Sequence, residues 1–89
     1  MKHVVIFGGN KDILDLLVRL IANYPEFTAS GFQNAQEVLA PGVPMDILLL
    51  SSGVSPADEA LVRDAVSVPI IQHFGGGSGL LRAELHPFL

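Results

Sequence analysis

The residues able to do chemistry in this chain fall into three short clusters between apolar runs: Gly8-Gly9-Asn10, Ser51-Ser52-Gly53 and His73-Phe74-Gly75-Gly76. Two glycines ahead of a helix leave backbone N–H groups bare, and the positive end of the helix dipole adds to their pull on an anion. Gly8, Gly9 and Asn10 are therefore candidates for cradling a phosphate or nucleotide. The stretch matches neither G-x-G-x-x-G nor the P-loop pattern, and a tight turn with Asn10 as helix cap explains the same residues. Ser51 or Ser52 with His73 would supply a nucleophile and a base. No G-x-S-x-G elbow surrounds the serines and no acid is placed to orient His73, so capping and loop hydrogen bonds are the expected roles. Metal chemistry has no support: cysteine is absent, and His3 and His86 lie far apart with no H-x₃-H spacing. Asp46 reads as a turn residue, and Asp12, Asp15, Asp58, Glu59 and Asp64 as solvated helix faces. No catalytic residue and no cofactor are expected.

The elements that position these clusters are set by apolar pattern. Ile47-Leu48-Leu49-Leu50 does not alternate with polar residues, which marks a strand covered on both faces. His3 to Phe7 has the same character. Between them, Lys11 to Asn23 keeps Asp12, Asp15, Arg19 and Asn23 on one wet stripe and leaves Ile13, Leu14, Leu17, Leu20 and Ile21 to face a sheet. Phe27 to Phe32 is more polar and suits a sheet edge. Asn34 to Glu37 fits a capping box opening a short helix through Ala40, stopped by Pro41-Gly42. Ser55-Pro56-Ala57-Asp58 opens a helix to about Ala65, with a cap, a first-turn proline and an early acid. Val68 to Phe74 is the fourth strand, Gly75 to Gly79 a loop, and Leu80 to His86 a last short helix. Strand and helix alternate, which predicts one α/β domain over 1–89. It is a three-layer sandwich around a four-stranded parallel sheet of order 2-1-3-4. Ligands on such sheets bind at the carboxyl ends of the strands, where all three clusters fall.

Composition narrows the function further. The net charge is −4, and Lys2, Lys11, Arg19, Arg63 and Arg82 are scattered, which argues against nucleic acid and anionic membranes as partners. No apolar run approaches the roughly 18–20 residues of a membrane span. A cysteine-free chain without a signal-like start is expected in the cytoplasm.

Tyr24-Pro25-Glu26, the strand ending at Gly31-Phe32, and Asn34-x-x-Glu37-x-Leu39 together resemble the receiver domains of response regulators. So do Pro44-x-Asp46 with its apolar strand and Val68-Pro69-Ile70-Ile71; the likeness spans roughly residues 2–75. It implies the same flavodoxin-like fold. It also implies positions for the receiver's chemistry, and none is filled. Gly8 and Gly9 stand where the Mg²⁺-binding acidic pair would be, Ser51 where the phospho-accepting Asp would be, and Phe74 where the Ser or Thr would be. No lysine follows Lys11, and no fifth strand follows the fourth. Without carboxylates to hold Mg²⁺ and neutralise the transferring group, aspartyl phosphorylation is not expected.

The expected function is that of a truncated pseudo-receiver: not an enzyme, but a phosphorylation-independent protein-interaction module in signalling or regulation. The alternative is a small-ligand or nucleotide-binding domain using Gly8, Gly9 and Asn10. A missing fifth strand leaves the outer edge of Val68 to Phe74 open, which invites a homodimer through that edge. Leu80, Leu81, Leu85 and Phe88 would keep the chain monomeric if the tail folded back over it.

Overall fold

A computed structural model of the chain describes residues 1–73 and 78–89. Four strands, β1 (Lys2–Phe7), β2 (Phe27–Phe32), β3 (Ile47–Leu50) and β4 (Ile70–Gln72), alternate with four helices. These are α1 (Lys11–Ala22), α2 (Ala35–Val38), α3 (Pro56–Ala65) and α4 (Ser78–Leu85), and a 3₁₀ turn at His86–Phe88 follows. The sheet order is β2-β1-β3-β4 and every pairing is parallel, as the two non-alternating runs require. β1 and β3 are central, and their side chains point alternately to two helical layers. Val4, Ile6, Ile47 and Leu49 pack with Leu14, Leu17 and Ile21 of α1 and with Leu81 and Leu85 of α4. Val5, Phe7, Leu48 and Leu50 pack with Ala35 and Val38 of α2 and Val62 of α3. That is the expected three-layer sandwich.

α1, α2 and α3 each start where the sequence provides an acceptor for otherwise bare N–H groups. Asn10 Oδ1 accepts from the N–H groups of Asp12 and Ile13 at 3.1 and 3.2 Å. Asn34 Oδ1 accepts from Glu37 N at 2.9 Å, and the Asn34 amide in turn donates to the Glu37 carboxylate. Ser55 Oγ accepts from Asp58 N at 3.2 Å, with Pro56 in the first turn. Among the described residues, no helix is long and apolar enough to cross a membrane.

Several expected boundaries move. β4 covers Ile70–Gln72 rather than Val68 to Phe74. Pro69 has no N–H to give the ladder, although its carbonyl still accepts from Leu48 N at 3.0 Å. Phe74, with Gly75, Gly76 and Gly77, lies outside the described residues. Ser78 and Gly79, expected in a loop, form the first turn of α4, and that helix ends at Leu85 rather than His86. α2 is one turn only, with Leu39 already its C-cap. Ile13, expected to face the sheet, is 37% exposed. At 3.6 residues per turn, Leu14, Leu17 and Ile21 share an arc of about 60°, and Ile13 falls outside it.

Candidate functional site at the carboxyl end of the sheet

Phe7 pairs with Leu50, so Gly8 and Ser51 leave the two central strands side by side. The loops they begin are laced together by backbone. Ser51 N donates to Phe7 O at 2.8 Å, Gly8 N to Phe32 O at 3.1 Å, and Gly9 N to Ser52 O at 3.0 Å. Gly9 lies so close to the neighbouring loop that a Cβ there would sit 2.1 Å from Gly53 O and 2.8 Å from Gly53 C. Gly53 itself takes φ +85°, a left-handed conformation that favours glycine, to turn the chain toward Ser55. The glycines thus serve the close approach of two loops. Two of the three amides expected to hold an anion are already used, Gly8 N by Phe32 O and Gly9 N by Ser52 O, and Asn10 takes up those of Asp12 and Ile13.

One strand further out, Leu50 pairs with Gln72 and accepts from His73 N at 2.9 Å. Ser51 and His73 therefore emerge at matching positions of neighbouring strands, which project to the same face of a parallel sheet. Both are buried, at 5% and 3% exposure. His73 Nδ1 lies 2.5 Å from Glu84 Oε1 of α4, so an acid does orient this histidine, contrary to expectation. Glu84 is 11 residues from His73, on a helix that the sequence marks only as a short tail. The signal for it is the spacing of Leu81 and Leu85. With both leucines against the sheet, Glu84 rides on the rim of the same helix face. Ser51, His73 and Glu84 are the parts of a nucleophile–base–acid series. The serine and histidine are both buried, and the His73–Glu84 contact ties α4 to the end of β4.

The remaining sequence candidates do not converge here. Asp46 is more than a turn residue: Oδ2 accepts from His3 N at 2.7 Å while its own N–H donates to His3 O at 2.8 Å, clamping β1 to the entry of β3. The His3 ring lies between two hydroxyls of β2, with Nδ1 2.6 Å from Thr28 Oγ1 and Nε2 2.9 Å from Ser30 Oγ. Both residues belong to the amino end of the sheet. An open hollow of about 480 Å³ lies at that end too, lined by Met1, Lys2, Pro25, Glu26, Phe88 and Leu89. Among the described residues, no group of three or more acids or histidines is placed to share a metal ion. Comparison with family models, with curated proteins and with solved structures gives no match to this chain.

Proposed function

We propose that this chain is a receiver-like interaction module of signalling or regulation that works without phosphorylation. The observation that carries the reading is what stands at the carboxyl ends of the central strands. Glycines close β1 and a serine closes β3, at the positions where a receiver keeps its carboxylates. Phosphoryl transfer to such a domain needs a carboxylate nucleophile and a cation held beside it. Ser51, at 5% exposure and next to Gly8, supplies neither. What the scaffold still offers is surface, and its partner is a protein rather than a substrate or cofactor.

The rival reading, a nucleotide or small ligand held by Gly8, Gly9 and Asn10, is less well supported. Such a ligand would have to displace both the Gly9–Ser52 hydrogen bond and the Asn10 cap. Two measurements test the proposal. Intact mass after incubation with acetyl phosphate and Mg²⁺ is expected to stay unchanged, and a stable phospho-adduct overturns the reading. Thermal melting against nucleotides and inorganic phosphate is expected to show no shift. A genuine ligand at 100 times its Kd would add about 2.7 kcal/mol of stability.

A further inference from the structure

α1 carries two patterns on the surface it turns away from the sheet. Ile13 and Leu16 are 37% and 46% exposed, and Leu20 is half-buried at the margin of the core. Positions 13, 16 and 20 follow at three- and four-residue spacing, so they form one apolar stripe along the helix. Asp12 and Arg19 flank that stripe on the same side, within about 20° of each other around the helix axis. Both are exposed, and among the described residues neither joins a salt bridge, whereas the adjacent Lys11 and Asp15 hold each other at 2.8 Å. An acid near the start of α1 and a base near its end thus border an apolar stripe centred on Leu16.

We propose that a second copy of this chain docks on this stripe, with the two α1 helices antiparallel about a two-fold axis beside Leu16. In an isologous pairing the same patch serves both protomers. An antiparallel two-fold sets like flanks together, so Leu16 meets Leu16 of its mate, Ile13 meets Leu20, and Asp12 meets Arg19. The midpoints of the Ile13–Leu20 and Asp12–Arg19 spans both fall within one residue of Leu16, so one axis satisfies all three contacts. A parallel two-fold sets unlike flanks together, so Asp12 and Arg19 would find no partner of opposite charge across it. Charge therefore selects the antiparallel one, which also aligns the helix dipoles favourably.

The edge of β4 is the poorer docking site. Pro69 O and His73 N both bond β3, so in a parallel ladder only Ile70 and Gln72 turn their backbone groups outward. α1, in contrast, offers a contact about 12 Å long, from Asp12 to Leu20. One helix pair buries less than the ~800 Å² per partner of a standard interface, so the dimer forms at micromolar concentrations or above.

Sedimentation equilibrium of the full chain over a concentration series tests the proposal. The mass is expected to climb from 9.5 kDa toward twice that value. Leu16→Glu is expected to hold it at the monomer value throughout. Asp12→Arg and Arg19→Asp, each opposing like charges, are expected to weaken association about tenfold, and combining them to restore it. Circular dichroism checks that every variant keeps its helices; if Leu16→Glu unfolds, the charge exchange alone carries the test. A chain that stays at 9.5 kDa at every concentration overturns the proposal and leaves the stripe to some other partner. So does a dimer indifferent to all the α1 changes but lost on Gln72→Pro, which would place the contact at β4. The inference stands apart from the function proposed above: a monomer that takes no phosphoryl group would refute the one and leave the other intact.

Discussion

β3 has two neighbours, and they are built differently. On one side, β1 and β3 bury every side chain from Val4 to Phe7 and from Ile47 to Leu50 to 1% exposure or less. On the other side β4 is three residues long, and each of them is only half-buried. The central pair is covered by helices on both faces and laced at its carboxyl end by the Gly8–Gly9 and Ser51–Gly53 loops. The flank depends on α4, which reaches the sheet through Leu81, Leu85 and the His73–Glu84 hydrogen bond. Stability is therefore graded across the sheet. The centre is expected to open only when the whole domain unfolds, and β4 with α4 to open by itself. The difference teaches that the centre serves rigidity, and that any adaptable surface is at the margins.

The largest expected effect comes from Gly9→Ala, which attacks the centre where its two loops meet. Gly9 is exposed, and exposed positions usually tolerate an extra methyl within about 0.5 kcal/mol. Here the methyl would fall 2.1 Å from a backbone oxygen, which has no rotamer by which to escape. The loops must part, and the expected loss is about 3 kcal/mol in urea unfolding, with the m-value unchanged. A loss below about 0.5 kcal/mol would mean that the clasp contributes nothing to the centre, and the contrast with the flank would weaken.

A smaller and local effect is expected of Glu84→Ala. It leaves His73, at 3% exposure, without its carboxylate acceptor, and an unsatisfied buried group costs about 2 kcal/mol. Hydrogen exchange should show where that loss falls. Amides of α4 and β4 are expected to exchange faster at low denaturant, while those of β1 and β3 keep exchanging only through global unfolding. If all four elements lose protection together, the flank is not a separate unit and the comparison fails.

The centre was readable from sequence because its signals are local. Two apolar runs, three capping residues and the prolines fixed the elements, and the parallel order followed from their alternation. The margins were not, because their determinants are non-local. Glu84 reaches His73 only once α4 has folded back over the sheet, and nothing in the residues around His73 announces it. Asp46 likewise looks like a turn residue until β1 is beside it. Among the candidate site residues, Gly8, Gly9, Asn10, Ser51 and Ser52 do gather as their positions after the strands implied. What spacing alone could not reveal is that backbone from the facing loop fills the space between them. Ile13 and Leu16 were obscured for another reason: Leu and Ile dominate both sides of α1, and apolar content does not say which arc meets the sheet.

The smallest effect concerns the one polar link between α3 and the flank that is seen among the described side chains. Arg63 donates from Nη2 to Gln72 Oε1 at 3.1 Å and from Nε to Glu59 Oε2 at 3.3 Å, bridging α3 to β4. The ion-paired side chains are 41% and 37% exposed, so water and salt screen the pair and it contributes little. A double-mutant cycle of Arg63→Ala with Gln72→Ala isolates the bridge to β4, because the Glu59 contact is lost equally in both arms that lack Arg63. The expected coupling is about 0.5 kcal/mol and, because Gln72 is neutral, nearly independent of salt, with the helix content of each variant unchanged. A coupling above about 1.5 kcal/mol would place β4 in a network as firm as a buried one, and the flank would then open only with the centre. A coupling near zero would leave α4, beside the β3 ladder and the packing of Ile70, as the restraint on β4. Glu84→Ala should then release the strand as completely as deleting the helix contacts of Leu81 and Leu85.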